Sequence, residues 1–106
     1  MTPEAKVVQR IKALVKSYGG EVRKVEWSGR RGAPDLLVLM PGHHFFIEVK
    51  APSEKPRPEQ LREHERLRAA GFDVFVSDGD LEPIEDELKF PCTRHMLNNE
   101  ACDDAP

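Results

Sequence analysis

Cysteine is scarce in this 106-residue chain, which holds two, Cys92 and Cys102. Both lie in the polar C-terminal stretch, and such a pair does not build the disulfide framework that supports small secreted domains. The sequence therefore predicts a protein of a reducing compartment, the cytoplasm.

Long hydrophobic runs are also missing. No segment approaches the roughly 18 consecutive apolar residues of a membrane span, and no apolar stretch follows the N-terminal Met as a secretory signal would require. Apolar residues make up 39% and charged residues 33% of the chain, a balance typical of a globular protein. The length allows one core. We expect a single domain over residues 1–90 and a flexible acidic tail over residues 91–106.

An overall excess of positive charge is absent, because the net charge is −3. The acidic residues concentrate near the C-terminus: residues 81–106 hold 2 basic and 7 acidic side chains, which leaves 14 basic and 12 acidic for residues 1–80. A mixed-charge run is the ordinary composition of a solvated surface, but local basic clusters are also compatible with a face that contacts DNA phosphates. The candidates for such contacts are Arg23, Lys24, Arg30, Arg31, Lys55 and Arg57.

The hydrophobic periodicity predicts a layered α/β fold. Thr2-Pro3 is typical of a helix start, and apolar residues then recur at helical spacing as far as Tyr18. The later elements are expected as strands over 21–27, 35–40 and 45–49, a helix over 59–70, a strand over 72–76 and a short acidic helix over 81–90. Consecutive strands joined by a tight turn are antiparallel, whereas a strand reached through a helix can return parallel. The order α-β-β-β-α-β-α therefore predicts a mixed sheet flanked by helices, an α/β sandwich.

Two charged residues interrupt an otherwise apolar strand. Side chains alternate along a strand, so Glu48 and Lys50 point to one face while Ile47 and Val49 point to the other. A carboxylate and an amine in a core strand are costly unless they are paired or coordinated. The ordinary interpretation is a structural ion pair across a hairpin, and the functional one is a catalytic cluster.

Asp35 stands at the start of the preceding strand and extends the functional interpretation. If Met40 lies opposite Phe45, then Asp35 falls opposite Lys50 and on the face of Glu48. Two close carboxylates repel unless a cation lies between them. Mg²⁺ favours such a site, an oxygen-rich site accepts Mn²⁺ as well, and a bound metal can acidify a water and neutralise phosphate charge. Lys50 could orient that water or stabilise negative charge.

Three further polar residues have an ordinary explanation on spacing alone. Glu4 extends the apolar stripe of the first helix and could reach the same cluster, but an acid in a first turn also suits the helix dipole. Gln60 lies in the first turn of the next helix, where surface glutamines are common. His64 is expected to be a packing residue.

Together these residues resemble the PD-(D/E)XK nucleases, and longer strings resemble the VRR-NUC family, in the stand-alone form of phages and bacteria. The matching strings run from Gly29 to Val38, from Phe46 to Pro52 and from Pro58 to Gln60, and the resemblance covers about residues 3–80. It implies a restriction-endonuclease-like fold and a Mg²⁺-dependent DNA endonuclease of the cytoplasm of a bacterial or phage-infected cell. It also implies a homodimer that cuts branched DNA such as four-way junctions.

The resemblance also implies a role for each matching residue. Asp35 and Glu48 would be metal ligands, and Val49 would offer its main-chain carbonyl. Lys50 would be the catalytic lysine. The remaining members of the implied catalytic set are Glu4 and Gln60.

Three alternatives remain open at this point. A nickase, flap nuclease or restriction-like enzyme would use the same residues. A non-catalytic DNA-binding module is expected to have lost Asp35, Glu48 or Lys50, and all three are present. A zinc protein would draw its ligands from Cys92, His95 and Cys102 with His43 or His44, two residues we expect in an exposed turn; no fourth ligand has a suitable spacing.

Overall fold

The computed structural model describes residues 1–89. Its elements follow the predicted order and enclose a four-stranded mixed sheet. They are α1 (Pro3–Ser17), β1 (Glu21–Lys24), β2 (Leu36–Met40), β3 (His43–Val49), α2 (Pro58–Ala69), β4 (Asp73–Ser77) and α3 (Glu82–Lys89). The expected α/β sandwich is confirmed. The tail expected over residues 91–106 lies outside the described residues.

Helix α1 begins as the sequence predicts. The Thr2 hydroxyl accepts a hydrogen bond from the Ala5 amide at 3.1 Å, and Pro3 occupies the first turn. Its apolar stripe, Val7, Ile11 and Val15, is buried against the sheet. This stripe fixes which flank of α1 faces each edge of the sheet.

The sheet has the order β1-β2-β3-β4, with antiparallel pairs up to β3 and a parallel pair between β3 and β4. Side chains on one face of β3 pack with α1 and α3 into the hydrophobic core formed by Phe45, Ile47 and Val49. The alternate side chains point toward α2, where Phe46 lies edge-on to Trp27 and Phe72. The sheet therefore separates two layers of helix, α1 with α3 on one side and α2 on the other.

The hairpin register differs from the expected one by two residues. Met40 pairs with His43 across a two-residue turn, Pro41-Gly42, in which Gly42 has a φ of +72°. A glycine tolerates this left-handed conformation without strain, so the tight turn closes directly. The expected pairing of Met40 with Phe45 was wrong, and His43 and His44 are the first residues of β3 rather than turn residues.

Helix α1 has 15 residues and helix α2 has 12, fewer than the roughly 20 residues that a helix needs to span a bilayer. None of the helices within residues 1–89 is long and apolar enough to cross a membrane.

Candidate active site

Asp35 lies just before β2, at the end of the loop that leaves β1. Its amide donates to the Ile47 carbonyl at 3.1 Å, so the backbone already follows the ladder. Continuing the observed register places Asp35 opposite Glu48, not opposite Lys50 as expected. Its Oδ2 accepts a hydrogen bond from the Val49 amide at 2.7 Å, which fixes the carboxylate at the end of the sheet.

The surroundings of Asp35 favour its protonated form. The pKa of Asp35 is raised to about 6, chiefly by partial burial and in smaller part by the nearby carboxyl of Glu48, while the hydrogen bond from the Val49 amide opposes the rise. The positive charge of Lys50 lowers it, but by less than the other causes raise it. A cation between the two carboxylates would relieve the same repulsion that a proton relieves.

Glu48 is almost completely buried, with 1% of its surface exposed. Its Oε2 accepts a hydrogen bond from Gln60 Nε2 at 3.0 Å and lies 3.4 Å from Lys50 Nζ. Its Oε1 lies 3.4 Å from His64 Nε2. A buried carboxylate is tolerated only with such partners, so these contacts hold Glu48 in place.

Gln60 links the site to the start of α2. While its amide nitrogen donates to Glu48, its Oε1 accepts a hydrogen bond from the Arg57 amide at 2.8 Å. That second bond satisfies a backbone donor at the helix N-terminus. The orientation of Gln60, and with it that of Glu48, is therefore tied to the first turn of α2.

His64 is a residue whose contact with the site was not anticipated from the sequence. It is completely buried and touches Glu48, where we expected a simple packing residue. Its spacing carried a signal, because residues four apart lie on one face of a helix and Gln60 precedes His64 by four. The face of α2 that meets the sheet therefore presents two nitrogen-bearing side chains to one carboxylate.

Glu4 lies at the mouth of a cavity of about 300 Å³ that Asp35 and Val49 also line. It is exposed, and it reaches the site from α1, the layer opposite Gln60. The carboxylate oxygens of Asp35 and Glu48 suit a hard divalent cation such as Mg²⁺ or Mn²⁺. The chemistry of the donors thus fits the metal that the sequence implies.

The six basic candidates are all exposed, but two of them are engaged in ion pairs. Arg23 pairs with Glu21, its neighbour on β1. Arg30 Nε lies 3.0 Å from Oε1 of buried Glu63. Within residues 1–89, no ion pair engages the other four, Lys24, Arg31, Lys55 and Arg57.

Glu63 ties the basic loop to α2. Its carboxylate accepts hydrogen bonds from Arg66, Arg30 and Trp27. Burial acts to raise the pKa of Glu63, but hydrogen bonds from Arg66 and Arg30 outweigh it, so the pKa lies below its usual range. The loop that carries Asp35 is therefore anchored from outside the sheet.

A second group able to hold a cation lies at the far end of β3. His43, Asp73 and Glu87 are buried, and their ligand atoms lie within 4.8 Å of one another. His43 Nε2 is 2.7 Å from Glu87 Oε2, a contact that joins α3 to the sheet. Seven residues of strand separate His43 from Lys50, about 23 Å at the usual rise, so the two groups are distinct. Cys92, His95 and Cys102 of the zinc alternative lie beyond the described part of the chain.

Comparison with known proteins finds relatives both by sequence and by structure. No family model matches the chain. The chain is 47% identical over 83 residues to "Putative nuclease p44" of Acyrthosiphon pisum secondary endosymbiont phage 1, covering 76% of this chain and 89% of that protein. A solved structure described as "VRR_NUC domain" superposes with a TM-score of 0.72 at 44% identity, covering 83% of this chain and 96% of that one.

The second relative is named as a ribosomal protein and not as a nuclease. It is the small ribosomal subunit protein bS6 of Carboxydothermus hydrogenoformans, 30% identical over 69 residues, with 64% of this chain and 67% of that protein covered. The phage protein and the solved domain agree with each other, cover more of the chain and share more of its residues. The family assignment therefore rests on those two.

A mixed sheet between helical layers, with two carboxylates and a lysine at one end, defines the PD-(D/E)XK class of restriction-endonuclease-like folds. Within that class, the chain belongs to the VRR-NUC family.

Proposed function

We propose that the chain is a divalent-metal-dependent DNA endonuclease that hydrolyses phosphodiester bonds. The observation that carries this proposal is the convergence of Asp35, Glu48 and Lys50 at one end of the sheet, where Asp35 lines an open cavity. An ordinary structural ion pair would need one acid and one base. This site holds two acids that interact, and the pKa of one of them, Asp35, is raised to about 6.

The metal would be held by the carboxylates of Asp35 and Glu48 and by the main-chain carbonyl of Val49. Mg²⁺ is the proposed ion, and Mn²⁺ would substitute because the donors are oxygens. When bound, such an ion lowers the pKa of a water and neutralises charge on phosphate oxygens. The proposed ligands belong to this cluster, and His43, Asp73 and Glu87 take no part in it.

The chain's own side chains account for the rest of the chemistry. The Lys50 ammonium is held 3.4 Å from Glu48 and can donate to a water or to a phosphate oxygen on which negative charge accumulates. Gln60 fixes the direction of the Glu48 carboxylate. Glu4 contributes a further oxygen from α1 at the mouth of the cavity. The six exposed basic residues named above are proposed to contact DNA.

The substrate proposed is branched DNA, such as a four-way junction, cut by a homodimer. Cutting two strands symmetrically needs two sites related by a two-fold axis, and one subunit offers one site. An open sheet edge supports association: β4 ends the sheet, and Phe72, directly before β4, and Val76, within it, are 41% and 42% exposed. The phage origin of one relative supports action in the cytoplasm of a bacterial or phage-infected cell.

The test is strand cleavage by the purified protein, with Mg²⁺, with Mn²⁺ and with EDTA. The substrates are a four-way junction, a flap and a linear duplex of the same sequence. Asp35→Ala and Lys50→Ala are compared with wild type, and Lys89→Ala serves as a charge control on the far helix. We expect metal-dependent cutting that both site variants lose and the control retains.

The substrate preference decides the subclass. Preference for the junction supports the proposal as stated, whereas preference for the flap or nicking of the duplex would give a different nuclease specificity. Binding of DNA with no cutting under any condition would contradict the proposed endonuclease activity and indicate a non-catalytic DNA-binding module.

A further inference from the structure

The cavity at the site does not end at the acidic cluster. Lys12, on α1, lines it together with Glu4 and Asp35, and Lys12 also lines a second, larger groove of about 590 Å³. The second groove runs between the C-terminal half of α1 and β1, where Lys16 and Arg23 line it. The two openings therefore meet at Lys12, and together they are called the path that leads away from Asp35.

Apart from Glu4 and Asp35 of the candidate site, the charge along this path is mostly positive. Lys24 lines the part beside Asp35, and Lys12 and Lys16 line the part beyond it. Glu21 is the acid of the second groove, and its charge is compensated by the ion pair with Arg23. Lys12, Lys16 and Lys24 thus remain as three exposed ammonium groups facing one channel.

The spacing of these groups suits a chain of phosphates. Lys12 and Lys16 are four residues apart on α1, which puts them on one flank with a rise of about 6 Å. The residues of the second groove include no aromatic side chain that could stack on a base. Such a groove recognises the backbone of a nucleic acid rather than its sequence.

We propose that this groove binds the phosphodiester backbone of the DNA strand that flanks the scissile phosphate, with Lys12, Lys16 and Lys24 neutralising successive phosphates. The inference deepens the proposed nuclease function and rests on it for the identity of the strand. Lys12 and Lys16 were not among the DNA contacts that the sequence suggested. Arg23 was among them, but its ion pair with Glu21 reduces the charge that it offers.

The same helix supplies a matched control. Lys6 and Arg10 are also four residues apart and exposed, but they lie on the other flank of α1. Neither lines the path, and the Arg10 guanidinium lies near Gly79, on the side of α3. Replacing both pairs by alanine removes the same charge from the same helix, so only position differs.

The experiment measures DNA binding separately from cutting. Lys12→Ala/Lys16→Ala and Lys6→Ala/Arg10→Ala are each made in an Asp35→Asn background, and binding to a four-way junction and a linear duplex is titrated with EDTA over 50–200 mM salt. Circular dichroism confirms that each variant is folded. Because each phosphate contact contributes about −0.9 to the slope of log K against log salt, the groove variant should flatten that slope by about 2. Its affinity should fall about tenfold or more, and the control's should fall less than threefold.

The outcomes separate this proposal from the nuclease proposal. Equal losses in the two double variants, or an unchanged slope in the groove variant, would overturn the groove even if wild type cuts DNA. A selective loss in the groove variant supports the groove even if wild type cuts nothing, which would overturn the nuclease alone. Where wild type does cut, the groove variant with Asp35 restored should show a raised KM and a nearly unchanged kcat.

Discussion

Among single residues, Asp35 is the one whose raised pKa links the candidate site to the stability of the fold. Its carboxyl sits in a setting that raises its pKa from 3.8 to about 6, chiefly through burial. The folded protein therefore holds this proton more tightly than the unfolded chain does. It follows that the contribution of Asp35 to stability falls as the pH rises from about 4 to 6 and stays unfavourable above that range.

We predict that Asp35→Asn stabilises the metal-free protein at pH 7.5. The asparagine keeps an oxygen that can accept the Val49 amide bond and removes the charge that the fold disfavours. Thermal unfolding in EDTA should show a higher Tm for the variant than for wild type, with the difference shrinking toward pH 4. Added Mg²⁺ should raise the Tm of wild type and leave that of the variant unchanged. A lower Tm for Asp35→Asn in EDTA would contradict this account.

His64 acts on the site through Glu48, so we regard it as a positioning residue. We predict that His64→Phe, which keeps a buried ring, lowers activity or metal affinity by about 10- to 100-fold, as the loss of partners of metal ligands commonly does. The Mg²⁺ concentration for half-maximal cleavage should rise in His64→Phe as its affinity for the metal falls. His44→Phe, the same change at an exposed position of β3, should have no such effect. A lower Tm with unchanged Mg²⁺ dependence would show that His64 serves packing alone.

At the scale of elements, the β2–β3 hairpin explains why Asp35 was predicted on the correct face of the sheet although the predicted strand pairing was wrong. The expected pairing placed Asp35 opposite Lys50, and the observed pairing places it opposite Glu48, a shift of two residues. Side chains alternate with a period of two, so a shift of two leaves every residue on its original face, whereas a shift of one would have moved Asp35 to the other side. The convergence of the charged residues was therefore predictable although the turn length was not.

The loop before β2 depends on a close approach to α2 that only glycine permits. Gly32 has a φ of +93°, and a Cβ there would lie 2.5 Å from the Glu59 carbonyl oxygen. Both the backbone conformation and the contact disfavour a larger residue. The contact fixes the distance between the loop and the first turn of the helix that carries Gln60.

We predict that Gly32→Ala lowers the free energy of unfolding by more than Gly29→Ala does. Gly29 also has a positive φ, +75°, but a Cβ there would meet nothing within 4 Å. The control therefore carries only the conformational cost, about 1–3 kcal/mol at most for such a position, and the test variant adds a collision with backbone. Urea unfolding followed by circular dichroism measures both. An equal loss of unfolding free energy in the two variants would mean that the loop shifts to accommodate the Cβ at position 32 without a further loss of stability.

For the molecule as a whole, local patterns predicted the layers but not the contacts between them. The order of elements, the mixed sheet and the shared face of Glu48 and Lys50 all follow from periodicity, which is a property of neighbouring residues. Gln60 and Glu4 were expected near the site because of family resemblance, not because of their spacing. The spacing of His64 places it on the helix face of Gln60, but the contact of His64 with Glu48 and the position of Lys12 beside the cavity depend on which layer faces them after folding.

His43 is a residue whose burial the local sequence did not predict. A histidine beside a Pro-Gly turn is usually solvated, yet it lies buried beside Asp73 and Glu87, which come from elements 30 and 44 residues further along the chain. Those partners meet only once β4 has returned parallel to β3 and α3 has docked. No pattern within the hairpin could have indicated them.

The candidate site lies where the two helical layers meet the same end of the sheet. Glu4 approaches from one layer, Gln60 and His64 approach from the other, and Asp35 stands between them. Neither layer alone contains a complete set of groups. The proposed cleavage therefore requires both layers to dock, and we expect a nascent or partly unfolded chain, in which only one layer is in place, to cut no DNA.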